Sequence, residues 1–358
     1  RDAGATNLPD LRRSLDLVTL GTIADVVPLV EENRVLVRAG LRELLQTGAP
    51  GLVALKQVSN VTSVSASTVG FRLAPRLNAA GRLSDATRGV ELLTTDDPQR
   101  AAQLARELDE ENAARRALEA EMLEDALGRI ERDPDAPHRR SIVLASEDWH
   151  PGVVGIVAAR LVDRFYRPAV VIAIDPATGI GRGSCRGIEG VDLYAALRRA
   201  SALLETFGGH RMAAGLGIRA ERIDEFRGEF ETAVGTLTRA EDFVPSSWVD
   251  AELGLGEIDE ALLADLDRIA PHGAGNPEPV FLVRRARVAG CRVVGDGHLR
   301  LFLRQEAGAL SGIAFGMADA GLEQGADVDV LLTPERNEWQ GRTSIQFRLR
   351  DWRPANRQ

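Results

Sequence analysis

An isolated carboxylate near the start of the chain is placed where it could bind a metal ion. Asp25 follows the apolar run Leu15–Leu20 and stands three residues before Pro28. A carboxylate at the end of a buried helix or strand is costly unless it caps the element, pairs with a cation or binds a metal. Asp25 is therefore a candidate metal ligand, with capping of a turn before Pro28 as the alternative. Asp16, inside the apolar run, is a weaker candidate.

Two arginine-containing segments could bind a phosphate. In the first, small residues surround Asn78 and Arg82, so the guanidinium of Arg82 could make bidentate bonds to a phosphate. The segment could equally be a helix C-terminus with a surface arginine. In the second, Gly181–Arg186 follows a predicted strand, and its glycines would expose backbone N–H groups beside Ser184 and Arg186. This loop matches neither the dinucleotide-binding fingerprint nor the P-loop pattern.

Two of the five histidines stand in glycine-rich contexts. Gly208 and Gly209 precede His210, which predicts a flexible backbone presenting an imidazole that could donate to a phosphate oxygen or bind a metal. A histidine of the core or of a turn is the alternative. His150 stands just before Pro151, Gly152 and a predicted helix, where it could act similarly or simply occupy the helix start.

A strand-rich segment near the end of the chain has the features of a single-strand-binding face. Six arginines lie close together there, and Asp296 is the only acid among them. His298 begins a predicted strand, and Trp339 lies in the predicted turn 337–342. An exposed Trp at a turn could stack on a base, or it could fold against the wall of the domain. The arginines are Arg284, Arg285, Arg287, Arg292, Arg300 and Arg304.

The elements that must position these residues fall into four parts. Residues 1–95 do not make a complete domain, and from residue 11 onwards they read as short helices joined by Gly and Pro turns. Residues 96–137 predict a long, partly exposed connecting helix, because Asp97 and Pro98 form a helix start and no breaker follows before Gly128. Residues 138–240 alternate between strands and helices, as in an α/β domain. Residues 241–358 predict about five strands in a small closed barrel.

Composition sets limits on function. The 358 residues, 44% of them hydrophobic, can form two or three domains, and no apolar run approaches the roughly 20 residues of a membrane span. Cys185 and Cys291 stand in unrelated contexts, which indicates neither a disulfide nor a thiolate metal site and predicts a reducing cytoplasm. The net charge of -9 excludes a uniformly basic surface, so any nucleic-acid site must be local. No organic cofactor is predicted.

Taken together and in order, six segments resemble the RecJ family of single-strand-specific 5′→3′ exonucleases in the DHH phosphoesterase superfamily. The resemblance covers nearly the whole chain. The segments are LDLVTLGTIADVVPL (15–29), RLAPRLNAAGRL (72–83), WHPGVVGIVAAR (149–160), GRGSCR (181–186), FGGHRMAAG (207–215) and GNPEPVF (275–281).

The resemblance implies an α/β plus all-β fold with four parts: a remnant of the DHH catalytic domain, a long connecting helix, a DHH-associated α/β domain with the GGH motif, and an OB-fold barrel. It implies a two-metal site for Mn²⁺ or Mg²⁺ in which Asp25 is one ligand. The early aspartate motifs and the Asp-His-His triplet of the family are not in this sequence. Since one carboxylate cannot arrange two metals, we expect this chain alone to be inactive.

The resemblance also implies roles for substrate-binding residues. The 5′-terminal phosphate would be bound by one group of residues, and His210 would contact the scissile phosphate region. His298 and Trp339 would contact the strand, while Asn78 and His150 are weaker candidates. The phosphate group comprises Arg82, Ser184, Arg186, Gly208, Gly209 and His210.

The implied activity is metal-dependent degradation of single-stranded DNA in the 5′→3′ direction, in DNA repair and recombination. A catalytically inactive single-strand-binding scaffold of a replication complex is one alternative. A phosphodiesterase acting on short RNA or cyclic dinucleotides is another, although such relatives usually lack the barrel. Single-stranded DNA is the expected partner, with single-stranded-DNA-binding protein as a further one by resemblance. No membrane association is expected.

Overall fold

The computed structural model describes residues 10–295, 297–339 and 341–355. They form two compact units, and neither unit is one continuous stretch of chain. The first unit is built from the described parts of Arg1–Thr47, Thr62–Ala74 and Ser247–Gln358. The second is built from Gly48–Val61 and Pro75–Ser246.

The first part of the chain is helical, as predicted, and two glycines allow its helices to touch. A Cβ at Gly40 would lie 2.2 Å from the carbonyl oxygen of Leu15, and one at Gly51 would lie 1.7 Å from that of Leu92. Backbone contacts this close exclude any side chain. A π-helical turn, Val69–Leu73, leads into the fifth helix. The helices are α1 (Leu15–Ala24), α2 (Glu31–Gln46), α3 (Pro50–Val58), α4 (Ala66–Thr68), α5 (Ala74–Leu83) and α6 (Thr87–Thr94).

The long connecting helix is present as α7 (Pro98–Glu131), 34 residues in length. It begins where the sequence predicts, because the Asp97 side chain accepts a hydrogen bond from the Gln99 amide and Pro98 occupies the first turn. Its apolar stripe is narrow, so most of the helix surface remains exposed or half-buried. The buried apolar residues are Ala101, Leu104, Ala105, Leu108, Met122 and Ala126.

The α/β region is a five-stranded sheet in the order β1-β2-β3-β5-β4. β1 and β2 are parallel, and the remaining pairs are antiparallel. Helix α8 packs on β2 and β3, while Phe226 and Phe230 bring α10 onto the other face, which carries Cys185 and Leu216. The elements are β1 (Ile142–Ser146), α8 (Val154–Phe165), β2 (Ala169–Asp175), β3 (Ile180–Arg186), α9 (Leu193–Arg199), β4 (Thr206–Gly209), β5 (Ala213–Arg219) and α10 (Ile223–Leu237).

Two sequence predictions about glycine segments were wrong. Gly181–Arg186 is not a loop after a strand but lies within β3, paired with β2 and β5. Its glycines serve packing, because a Cβ at Gly181 would lie 2.6 Å from Ile172 Cγ2 and one at Gly183 would lie 2.8 Å from Leu216 Cδ1. Gly208 and Gly209 likewise belong to β4 and are held in register with β5, so they are not a flexible stretch.

The predicted barrel is present and closed. Its strands follow the order β7-β8-β9-β11-β10, and an antiparallel pairing of β10 with β7 completes the ring. Gly312 makes room for the buried ring of Phe347, since a Cβ there would lie 2.3 Å from it. The elements of this region are β6 (Ala251–Glu252), α11 (Glu260–Ile269), β7 (Phe281–Val294), β8 (His298–Gln305), β9 (Gly308–Ala314), β10 (Asp327–Trp339) and β11 (Arg342–Pro354).

The predicted turn 337–342 is shorter than expected, because β10 extends through Trp339 and β11 begins at Arg342. The hairpin pairing continues to the Trp339 and Arg342 pair. Within the described ranges, no helix combines the length and the apolar character that crossing a bilayer requires.

Candidate nucleic-acid interface

The N-terminus of α8 has backbone amides that no protein group in the described part of the chain caps. The N-cap residue Val153 offers no side chain to the first turn. Among the described residues, the amides of Val154 and Gly155 donate to no protein acceptor. The first amides of a helix point outward with a partial positive charge and favour a phosphate oxygen. The fold therefore leaves two donors available at this point.

Ser184 and Arg186 face these donors from β3. A Cβ at Gly155 would lie 2.9 Å from Ser184 Oγ and 3.1 Å from Arg186 Nη2, so glycine is needed for this approach. Alternation along the strand sends Cys185 into the core and leaves its two neighbours on the α8 side. Arg186 Nη1 donates to Ser184 Oγ at 3.0 Å and to the carbonyl oxygen of Cys185 at 2.9 Å. The guanidinium is thus already oriented before any ligand binds.

Arg82 reaches the same place from α5. A Cβ at Gly152 would lie 2.1 Å from the carbonyl oxygen of Arg82, so the turn before α8 packs directly on the end of α5. Arg82 Nη1 returns a hydrogen bond to the carbonyl oxygen of Gly152 at 3.3 Å. Burial, together with the charges of Arg115 and Arg186, lowers the pKa of Arg82 below its usual value. These three mutually repelling cations would be stabilised by a bound anion.

Arg115, a member of this cluster, was missed by sequence reasoning. It lies on the long helix α7 and forms an ion pair with Glu119 at 2.7 Å. Glu119 also accepts from Arg160 at 3.0 Å, so its charge is shared between two arginines. Nothing in the local sequence distinguishes Arg115 from the other arginines of that helix, and only the fold brings it near Arg82.

The weaker candidates, Asn78 and His150, occupy the margins of this pocket. Asn78 is exposed and precedes Arg82 by one turn on the same face of α5. His150 Nδ1 accepts the amide N–H of Gly152 at 3.1 Å. His150 therefore holds the turn at the start of α8, which was the structural alternative for this residue.

The GGH segment lies two strands away from Ser184 in the same sheet. The register aligns Ser184 with Gly215 on β5, and Gly215 with Gly208 on β4. With strands about 4.8 Å apart, Gly208 lies about 10 Å from Ser184. Gly208 and Gly215 are exposed and present bare backbone. The pocket therefore adjoins a strip of sheet that a ligand can approach closely.

His210 ends this strip. Gly209 has a φ of +141°, and a Cβ there would lie 2.5 Å from Ala214 Cα, so only glycine is tolerated. The His210 amide then donates to the carbonyl oxygen of Ala213 at 2.8 Å, and the imidazole is exposed. Gly209 and the pairing of β4 with β5 fix the backbone that presents His210.

Asp25 stands at the end of α1 with an exposed side chain. Its backbone amide donates to the carbonyl oxygen of Gly21 at 3.0 Å, but in the described structure its carboxylate accepts no hydrogen bond and joins no ion pair. The turn-capping alternative is therefore not what the structure shows. By contrast, Asp16 is buried and accepts from Thr47 Oγ1 at 2.8 Å, which makes it structural. The described residues contain no cluster of three or more metal-binding side chains.

In the barrel, His298 begins β8, as predicted, but it is engaged within the protein. Its Nδ1 accepts the Gly316 amide at 3.0 Å, and its ring meets that of Phe315 edge-on at 5.2 Å. The side chain of Trp339 lies outside what the structure describes. Two exposed aromatic residues that sequence reasoning missed are Phe302, 42% exposed, and Phe315, 54% exposed. The sequence feature that could have identified Phe302 is its outward position in the alternating strand sequence HLRLFLR.

Some arginines of the strip seen in the sequence form ion pairs in the structure, and others form none among the described residues. Arg284 pairs with Glu252 at 2.8 Å, and Arg287 pairs with Asp327 at 2.9 Å. These two arginines are tied to acids that stand far away in sequence. Asp296, the only acid within the sequence of the strip, lies outside the described residues.

Three of the remaining four arginines lie close to Phe302. Arg292, Arg300 and Arg304 form no ion pair with any residue in the described part of the chain. Arg300 and Arg304 flank Phe302 on the outward face of β8, and Arg292 is paired with Arg300 in the neighbouring strand. A groove of about 700 Å³ continues this face past Ser311 and Phe315. Cations around an exposed ring suit a phosphate backbone with a stacked base.

Comparison with known proteins finds related sequences and structures. The DHHA1 domain matches residues 139–236, and the RecJ OB domain matches residues 249–351. Single-stranded-DNA-specific exonuclease RecJ of Bacillus subtilis is 39% identical over 351 residues, which cover 96% of this chain and 44% of that protein. The protein of the same name in Dickeya dadantii is 40% identical, over 95% of this chain and 61% of its own length. The crystal structure of RecJ in complex with Mn²⁺ from Thermus thermophilus superposes with a TM-score of 0.85 at 33% identity, over 98% of this chain and 51% of that one. This chain thus spans about half the length of its relatives.

Proposed function

Because this chain belongs to the RecJ family, we propose that it is part of a metal-dependent exonuclease that degrades single-stranded DNA in the 5′→3′ direction in DNA repair and recombination. One observation carries this proposal. Arg82, Ser184 and Arg186 come from distant parts of the sequence and converge on the open N-terminus of α8. Together they form a pocket for a strongly charged anion, and the chain's contribution would be to bind the 5′ end of the strand.

A terminal phosphate suits this pocket better than an internal one. A phosphate monoester carries about -1.5 to -2 charge at neutral pH, whereas each internal phosphodiester carries -1. The cluster of Arg82, Arg115 and Arg186 would therefore favour the chain end. Holding the 5′ end fixes which bond is presented for hydrolysis, so direction would follow from geometry. None of these groups reads a base edge, which predicts little sequence specificity.

The glycine strip would carry the nucleotides that follow the 5′ end. Bare backbone at Gly208 and Gly215 would let the sugar-phosphate chain lie close to the sheet. His210 at the end of this strip would donate a hydrogen bond near the scissile phosphate.

Asp25 would supply one carboxylate to a site for Mn²⁺ or Mg²⁺. Its oxygens suit these hard cations, and the described residues leave its carboxylate without a protein partner. When bound, two such metals would activate the water and stabilise the leaving oxygen. A single carboxylate cannot hold both ions, so the other ligands would come from the rest of the catalytic domain. We therefore expect this chain alone to be inactive.

The barrel would bind a further stretch of the strand. Phe302 would stack on a base, while Arg292, Arg300 and Arg304 would contact phosphates. Trp339 remains a candidate on the neighbouring hairpin. His298 would support Phe315 through the edge-on ring contact, and its Nε2, which has no hydrogen-bond partner among the described residues, would contact the strand. Association with single-stranded-DNA-binding protein is a further expectation.

Binding experiments with the purified chain test this proposal. Fluorescence anisotropy would compare labelled oligonucleotides with a 5′ phosphate and with a 5′ hydroxyl, as single strands and as duplexes, across a salt series. We expect the single strand with a 5′ phosphate to bind most tightly. Equal affinity for all four ligands would contradict the proposal. Mn²⁺-dependent degradation of single strands by the chain alone would contradict the expectation of inactivity.

A further inference from the structure

The turn after Asp25 has an unfavourable backbone conformation. Val26 has a φ of +56°, and Glu31 has a φ of +45°. The left-handed region is rarely occupied by β-branched residues such as Val. Such a conformation persists only where the surroundings fix it, and it often does so at functional sites.

A loop between α11 and β7 holds the residues that lie between these two positions. The Leu29 amide donates to the carbonyl oxygen of Ala274 at 2.6 Å, and the Leu29 side chain is buried. A Cβ at Gly273 would lie 2.7 Å from Leu29 Cδ1. The glycine at this position lets the loop lie directly against the leucine.

Gly275 closes the contact from the other side of Leu29. It has a φ of +71°, and a Cβ there would lie 3.1 Å from Pro28 Cβ and 3.2 Å from Val30 Cγ1. Pro28, Leu29 and Val30 are thus all touched by one short loop. From Gly275 onwards this loop overlaps the GNPEPVF segment (275–281), which the proposed function leaves without a role.

Asn276 makes the loop stiff. Its side-chain Nδ2 donates to the carbonyl oxygens of Ile269 at 3.0 Å and Pro271 at 2.9 Å. Backbone hydrogen bonds of 2.9 and 3.1 Å also link Gly273 and Asn276 in both directions. The loop therefore keeps its shape without help from its exposed surface.

We infer that the loop 271–277 is a positioning element for the Asp25 carboxylate, and that Asn276 and Gly275 are its essential residues. This inference rests on the proposed role of Asp25 as a metal ligand. Between Asp25, fixed to the end of α1, and Leu29, fixed to the loop, there are only three residues. A shift of Leu29 is therefore transmitted to Asp25. Metal affinity then depends on a loop that lies within the matched OB domain.

Gly275→Ala and Gly321→Ala form a matched pair for testing this. Gly321 has a φ of +69°, so both changes impose the same backbone strain, but a Cβ at Gly321 meets nothing within 4 Å. Hydrogen exchange measured by mass spectrometry on the chain reports the Leu29 amide. We expect faster exchange over residues 26–30 in Gly275→Ala and in Asn276→Ala, and wild-type exchange in Gly321→Ala. Unchanged exchange in both loop variants would overturn the inference.

Mn²⁺ titration of the complete protein, with its remaining catalytic segment present, supplies the second readout. Loss of a residue that orients a metal ligand weakens metal binding by roughly 10- to 100-fold, so we expect about tenfold weaker binding in Asn276→Ala. Faster exchange with wild-type Mn²⁺ affinity would overturn the positioning role. Asp25→Asn separates the two proposals. If this variant binds Mn²⁺ normally, the ligand role of Asp25 fails, and the exchange data still decide whether the loop fixes the turn.

Discussion

Replacing Arg186 by Ala should remove most of the preference for a 5′-phosphorylated strand. A hydrogen bond to a charged group contributes about 1.5–3 kcal/mol. Arg186 is half-buried and already oriented by Ser184 Oγ and the Cys185 carbonyl oxygen, so little side-chain freedom is lost on binding. Because these bonds already use some of its donors, we expect Arg186 to contribute about 2 kcal/mol to binding of the terminal phosphate. This corresponds to about 30-fold in affinity.

Arg182→Ala is the matched control for this prediction. Arg182 lies on the same strand and the same face as Arg186, four residues away, or about 13 Å along β3. Either substitution removes one positive charge, but only Arg186 is assigned a phosphate contact, so only Arg186→Ala should reduce the slope of the salt dependence by about 1. Only Arg186→Ala should make the 5′-phosphate and 5′-hydroxyl strands bind alike in the anisotropy assay. If the phosphate preference survives in Arg186→Ala, or disappears equally in Arg182→Ala, the pocket has been assigned to the wrong residues.

Three further predictions follow from the same structure. Phe302→Ala should weaken binding of long single strands by about 1–3 kcal/mol, because one stacking contact is lost. Thermal stability should change little, since the ring is exposed. An unchanged dissociation constant would rule out stacking on this ring. Gly152→Ala should lower the free energy of unfolding by about 1–3 kcal/mol, because its Cβ would meet the Arg82 carbonyl oxygen; wild-type stability on chemical denaturation would contradict the close approach. Burial raises the pKa of the Cys185 thiol to about 12, so the thiol stays protonated in the folded state. The protonated thiol therefore stabilises the folded state fully below about pH 8.5, and this stabilisation is lost as the pH rises towards 12. A thiol reagent at pH 8 should therefore modify the half-buried Cys291 much faster than Cys185, and equal rates would show that Cys185 is accessible.

The regular elements could be predicted because their signals are local. The Asp97 cap and Pro98 mark the start of α7, where the sequence predicts the long helix. The barrel strands were predicted by alternation, since Leu299, Leu301 and Leu303 point inward between outward-facing Arg300 and Phe302. The matched domains and the superposition with RecJ confirm this architecture.

The errors concerned glycines, whose role depends on neighbours distant in sequence. Gly183 suggested a loop, but it lies in a central strand. Glycine is needed there because the Leu216 side chain of the adjacent strand occupies the space that a Cβ would take. No local signal shows this, since the opposing residue is 33 positions away. Arg115 was missed for the same reason. Its proximity to Arg82 exists only after α5 and α7 have packed.

The candidate site residues were predicted separately, and only the fold shows which of them lie together. Arg82, Ser184 and Arg186 each had a structural alternative when considered alone. The sequence does not show that Gly152 brings the end of α5 against the turn before α8, or that Gly155 opens the first turn to β3. The fold thus brings three separately predicted residues together at the proposed phosphate site.

A crystal structure of the protein with a short 5′-phosphorylated oligonucleotide tests the central claim most directly. We predict that the terminal phosphate lies within hydrogen-bonding distance of the Gly155 amide, Ser184 Oγ and the Arg186 guanidinium. A terminal phosphate bound at any other surface, with the start of α8 left in contact with solvent, would contradict the account.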